Sequence, residues 1–69
     1  MKIFLGNRLK ELREEKGLTQ KQLAEQLGLN SVTYLRYEKS QREPSLSILA
    51  DIANYFNVSV DYLLGLKDY

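Results

Sequence analysis

The chain contains no cysteine and no histidine. Without cysteine there is no disulfide, no thiolate metal site and no cysteine nucleophile. Without histidine the commonest general base, the commonest metal ligand and the side chain that titrates nearest neutral pH are missing. A chain with no disulfide to protect fits a reducing, cytoplasmic setting. Apolar runs are short: none approaches the ~20 residues needed to span a bilayer. The opening Met1-Lys2-Ile3-Phe4-Leu5-Gly6-Asn7-Arg8 turns polar too early for the apolar region of a signal peptide. Carboxylates do not pair for catalysis either. Glu14 and Glu15 are sequence neighbours, so on a helix they point about 100° apart. No glycine-rich phosphate loop and no nucleophile with its base is present. An enzyme is not expected, and no metal or cofactor is implied.

What is present is 69 residues, 43% hydrophobic and 28% charged, the balance of a folded chain rather than a disordered one. That length predicts one domain over residues 1–69, which on folding buries only about 60% of its extended surface and so needs an efficient core. The net charge is +1, but it is unevenly placed. Residues 1–42 carry nine basic side chains against five acidic, and residues 43–69 one against four. A molecule polarised in this way can turn a basic face to an anion while staying nearly neutral overall.

The hydrophobic pattern is helical throughout, with no strict alternation of the kind a half-buried strand shows. A first helix is expected over 6–16 on the stripe of Leu5, Leu9 and Leu12, ending at Gly17. Thr19 with Gln22 three residues on is a capping box, which starts a second helix running to about Leu27. Gly28 breaks it, allowing the positive φ that a sharp turn needs. Asn30 caps a third helix over 31–39, with Tyr34 and Tyr37 inward. Pro44 keeps the next loop non-helical. Ser45 caps a fourth helix over 46–56, whose expected inner face is Leu46, Leu49, Ala50, Ala53 and Phe56. Ser59 caps a fifth over 60–64, with Asp61 in its first turn and Gly65 at its end. Five short helices with short links predict a compact all-α bundle. Its second and third helices meet across Gly28-Leu29-Asn30, a turn short enough to make a helix-turn-helix. Ala24 faces the crossing, and Leu23, Leu27 and Leu29 fill the wedge.

Several spaced motifs then occur in order: Leu-Lys-Glu-Leu-Arg at 9–13, Gly-Leu-Thr-Gln at 17–20, Leu-Ala-Glu-Gln-Leu-Gly at 23–28, Arg-Tyr-Glu-Lys at 36–39, Arg-Glu-Pro-Ser at 42–45 and Val-Ser-Val-Asp-Tyr-Leu-Leu-Gly at 58–65. Together they resemble the XRE family, the lambda-repressor/Cro-like helix-turn-helix transcriptional regulators. The resemblance spans about residues 5–66 and implies a five-helix fold with the third helix in the DNA major groove. It implies that Ser31, Val32 and Arg36 reach base edges. It also implies that Gln20 touches a phosphate while bracing the recognition helix, and that Arg13 and Glu38 tie the first helix to the third. Three positions depart from the family pattern: Ser40 stands where glycine is common, and Tyr34-Leu35 where a small branched aliphatic and a polar residue are common.

The chemistry of the residues runs the same way. Arg36 carries a planar fork that matches guanine O6 and N7. Ser31 can donate or accept, and Val32 or Leu35 can pack on a thymine methyl. Lys39 and Arg42 follow the recognition helix and suit phosphates. Each has a plainer alternative: a solvated arginine, a valine covering the core edge, a charged loop, and for Leu35 a core residue on a rotated helix or a subunit contact. The expected partner is a double-stranded operator read by a homodimer, with Tyr62, Leu66 and Tyr69 as the subunit contact and repression as the outcome. The alternative from another class is a protein-interaction module on the same fold, an antitoxin or bridging factor docking through Val32 and Leu35.

Overall fold

The computed structural model describes residues 4–68. Five helices follow one another: α1 (Leu5–Glu15), α2 (Gln20–Gln26), α3 (Ser31–Glu38), α4 (Leu46–Phe56) and α5 (Val60–Leu64). No strand occurs among the described residues. The expected boundaries hold to within a residue, because the signals that set them are local. Thr19 and Gln22 form the capping box, with the Gln22 amide donating to Thr19 Oγ1 at 3.0 Å and the Thr19 amide to Gln22 Oε1 at 2.9 Å. Asn30 accepts from the Val32 amide at 2.8 Å, Ser45 from Ile48 at 3.2 Å and Ser59 from Tyr62 at 3.0 Å.

The helices also stop alike. After each, one residue takes a left-handed conformation: Gly17, Gly28, Ser40, Asn57 and Gly65. The amide that follows reaches back to the carbonyl five residues earlier: Leu18 to Arg13, Leu29 to Ala24, Gln41 to Arg36, Val58 to Ala53 and Leu66 to Asp61. This is the Schellman closure, which satisfies carbonyls a helix end would otherwise strand. Ser40 therefore keeps the turn that glycine makes in the family pattern, at φ 59°. A side chain held there costs about 1–2 kcal/mol.

The core gathers Leu5, Leu9 and Leu12 of α1, Leu23 and Ala24 of α2, Tyr34 and Tyr37 of α3, Leu49, Ile52, Ala53 and Phe56 of α4, and Leu63 of α5. Leu27 and Leu29 pack on it from the α2–α3 turn. The expected inner face of α4 needs two corrections. Leu46 is 85% exposed and Ala50 is exposed, while Ile52 is fully buried. The buried stripe is Leu49, Ile52, Ala53 and Phe56, and at about 100° per residue Ala50 lies about 110° from its centre. Leu46 is nearer in angle but opens the helix. A helical side chain leans toward the N-terminus, so at the first position it leans off the end of the bundle.

Gly6 shows a constraint that helical periodicity does not. It is buried, and a Cβ built there would stand 2.3 Å from the carbonyl oxygen of Glu38 and 3.0 Å from Ser40 Oγ. The last turn of α3 thus rests directly on the backbone of α1. Alanine at position 6 gains about 1 kcal/mol of helix propensity, but overpacking against a backbone group costs about 1–3 kcal/mol or more. Gly6→Ala is expected to lower the unfolding free energy by up to about 2 kcal/mol net, seen as a lower urea midpoint. A raised midpoint would show that propensity wins and the approach is loose.

Candidate nucleic-acid interface

The two inward tyrosines decide which way α3 faces. Tyr34 is fully buried and Tyr37 nearly so, so Ser31, Val32 and Arg36 are turned outward and exposed. Val32 is 53% exposed, well clear of the core. Leu35 is half-buried and outside the core cluster, on the flank between the two faces. Lys39 and Arg42 are exposed beyond the end of α3. None of Arg36, Lys39 and Arg42 joins an ion pair among the described residues, so their charge is available to an external anion.

Behind this face one carboxylate gathers three helices. The Glu38 side chain is only 4% exposed and that of Arg13 is 12% exposed. Arg13 Nε donates to Glu38 Oε2 at 2.7 Å, and Arg13 Nη2 lies 3.4 Å from Oε1. Arg13 Nη1 is held by the Leu18 carbonyl at 2.8 Å. Gln20, at the start of α2, donates its amide to Glu38 Oε1 at 3.1 Å. The Tyr34 hydroxyl, one turn earlier on α3, donates to Oε2. No buried side-chain polar atom among the described residues lacks a partner. Burial alone would raise the Glu38 pKa, but the bonds from Arg13, Tyr34 and Gln20 outweigh it and hold the carboxyl below its ordinary range. Burial, then the bond to Glu38, pushes the Tyr34 phenol well above its usual value. The bond to Glu38, working against burial, raises the Arg13 guanidinium as well.

A helix-turn-helix family profile matches residues 9–63. The chain belongs to the XRE family of helix-turn-helix transcriptional regulators. The HTH-type transcriptional regulator ImmR of Bacillus subtilis (strain 168) is 46% identical over 63 residues, which are 91% of this chain and 50% of that one. The cryptic phage CTXphi transcriptional repressor RstR of Vibrio cholerae is 31% identical over 62 residues, 90% of this chain and 56% of that protein. A crystal structure of a transcriptional regulator from Listeria innocua superposes with a TM-score of 0.87 at 31% identity, covering 94% of this chain and 61% of the other. This XRE-family chain thus spans about half the length of the curated relatives it matches. Its fold is the lambda-repressor-like one, its class is non-enzymatic, and proteins of this class bind double-stranded DNA to regulate transcription.

Within this XRE fold the structure separates the candidate residues into two groups. Ser31, Val32, Arg36, Lys39 and Arg42 lie on the outside, and Arg13 and Glu38 lie behind them. Gln20 is half-buried and spans the two: one N–H of its side-chain amide donates to Glu38, and the same nitrogen carries a second N–H. Leu66, just beyond α5, is 55% exposed, and the Tyr62 ring is covered by the Arg8 guanidinium at 4.4 Å. Arg8 also pairs with Asp68 at 3.7 Å. Tyr69, the third residue of the expected subunit contact, lies outside the described residues. No helix of the described residues is long and apolar enough to cross a membrane.

Proposed function

We propose that residues 1–69 form one DNA-reading unit that lays α3 in the major groove and represses transcription by occupying its operator. The observation that carries this reading is the outward face of α3. Ser31, Val32 and Arg36 are exposed together while Tyr34 and Tyr37 hold the opposite side in the core. A helix of this width fits the ~12 Å major groove, with its leading residues nearest the base edges. Arg36 reads a guanine, Ser31 an adjacent base edge, and Val32, with Leu35 at the flank, a thymine methyl. Gln20, Lys39 and Arg42 grip phosphates on either side. Two copies reading half-sites about 34 Å apart would act as a two-fold dimer, and the exposed end of α5 at Leu66, beside Tyr62, is the surface we assign to that contact. Repression draws support from RstR, which is named as a repressor.

The test is selection of binding sites from a random duplex pool, followed by sequencing. An enriched, two-fold symmetric motif is expected. An unenriched pool would sink the reading and favour the protein-docking alternative through Val32 and Leu35. Salt separates the two readings as well. Duplex binding weakens log-linearly with a slope of about −0.9 per neutralised phosphate, whereas apolar docking hardly responds.

Two substitutions divide the roles. Arg36→Ala is expected to cost about 1–3 kcal/mol on the selected site and to relax choice at one base pair. Lys39→Ala is expected to weaken all duplexes alike and to make the salt slope shallower by about one. Competition gel shifts across a salt series check both. Full sequence preference in the Arg36 variant would remove Arg36 from the reading face.

A further inference from the structure

We propose that the hydroxyl of Tyr34 is a positioning group for sequence discrimination, acting through Glu38 on the rotation of α3. This rests on the DNA-reading function proposed above. Glu38 is a long, flexible side chain, yet its carboxylate is where α1 and α2 take hold of α3: Arg13 grips it from α1 at 2.7 Å and Gln20 from α2 at 3.1 Å. Such a grip fixes the helix only if the carboxylate itself has one place to be. Tyr34 supplies that place. Its ring is fully buried, and its hydroxyl donates to the same oxygen that Arg13 holds. The phenol is a rigid strut from the core to the carboxylate. A phenylalanine would fill the same core volume and leave Glu38 to follow Arg13 wherever the two settle.

The consequence for recognition is a matter of scale. The outer surface of a helix lies about 5–6 Å from its axis. A rotation of 10° therefore moves the outer part of the Arg36 side chain by about 1 Å. A bidentate contact tolerates only about 0.5 Å of misplacement. Phosphate contacts by a flexible lysine or arginine tolerate more, since they are made by a point charge or at the end of a long stem. Loosening the strut should thus erode discrimination between sequences before it erodes general attraction to DNA.

The experiment compares the wild-type chain with Tyr34→Phe at a temperature where circular dichroism shows both fully folded. The probes are the duplex enriched by the wild type from a random pool and a scrambled duplex of the same composition. The expected result is an affinity ratio between the two duplexes that falls about ten-fold in Tyr34→Phe, with the affinity for scrambled duplex and the salt slope within two-fold of wild type. A ratio within two-fold of wild type overturns the proposal and leaves the hydroxyl with stability alone. A loss shared equally by both duplexes overturns it too, because that is what a general loosening would give. If the phenylalanine variant is not fully folded in buffer, both proteins are compared in a stabilising osmolyte such as trimethylamine oxide, which favours the compact state, and the same ratio is read. A wild type that enriches no duplex removes the DNA-reading function and this proposal with it, whereas a wild type that enriches one beside an unchanged variant removes only the proposal.

Discussion

Glu38→Ala is expected to cost about 3–5 kcal/mol of folding stability. The magnitude follows from what the alanine leaves behind. The Arg13 guanidinium is 12% exposed and would keep only the Leu18 carbonyl, and the Tyr34 hydroxyl would lose its acceptor inside the core. Breaking a buried pair by removing one partner costs about 3–5 kcal/mol, because the remaining charge is stranded. A chain of this length is stable by only about 3–10 kcal/mol in all. The loss takes from about a third to the whole of that margin, and the circular dichroism melt should shift down by tens of degrees or lose its baseline. Replacing both partners distinguishes the stranded charge from lost packing. Arg13→Met with Glu38→Leu should recover the part lost to the stranded guanidinium, since apolar substitutes for a buried pair are often neutral or better, while the Tyr34 hydroxyl stays without its acceptor. A double variant as unstable as Glu38→Ala alone would show that the node matters for its shape and not for its charge balance.

The same node sets how stability responds to acid. Glu38 titrates below its ordinary value in the folded chain. The stability it confers is complete above the unfolded carboxyl pKa, about 4.3, and drains away as pH falls through the lower, folded value. Tyr34 works at the other end. Its folded pKa is raised, so its contribution is complete below the unfolded phenol value, about 10, and is lost as pH rises beyond it. Between those limits, with no histidine in the chain, neither group changes its charge.

The parts of this molecule that were legible in the sequence are those decided within one helical turn. The Thr19–Gln22 box and the Asn30, Ser45 and Ser59 caps bond to amides two or three residues away, so sequence spacing contains the whole interaction. The left-handed caps at Ser40 and Asn57 are just as local but carry no glycine to mark them; asparagine tolerates that conformation, whereas serine adopts it against its preference. Contacts across the bundle are harder. Gly6 reads as an indifferent helix residue until the Glu38 carbonyl is seen above it. Its signal is only that a glycine inside a helical stripe usually has a packing reason. Tyr34 counts as apolar in any hydrophobic pattern, and that pattern places its ring correctly. The pattern is silent on the hydroxyl, whose partner is found only once α1 and α2 have brought Arg13 and Gln20 to Glu38. On the reading face, the outward set of Ser31, Val32 and Arg36 follows from the inward tyrosines by helical geometry alone.

Helix α4 provides the sharpest contrast between pattern and packing, and the second large effect. Ile52→Ala is expected to cost about 2–5 kcal/mol, the range for truncating a buried aliphatic side chain to alanine, while Leu46→Ala should stay within about 0.5 kcal/mol, as surface changes do. By sequence pattern the two residues would exchange roles: Leu46 sits on the expected inner face and Ile52 does not. The structure reverses them, with Ile52 fully buried and Leu46 85% exposed. Propensity cannot rescue the isoleucine variant, because the gain from isoleucine to alanine within a helix is below about 0.7 kcal/mol and the cavity term alone exceeds it. Nor is collapse easy, since Ile52 lies among the tightly buried Leu49, Ala53 and Phe56 of its own helix and the fully buried Leu63 of α5. Urea denaturation of the two variants beside wild type decides the matter. Equal midpoints for both, or a larger loss for Leu46→Ala, would mean that α4 is rotated from the position described and that its apolar stripe is the one the periodicity alone would draw.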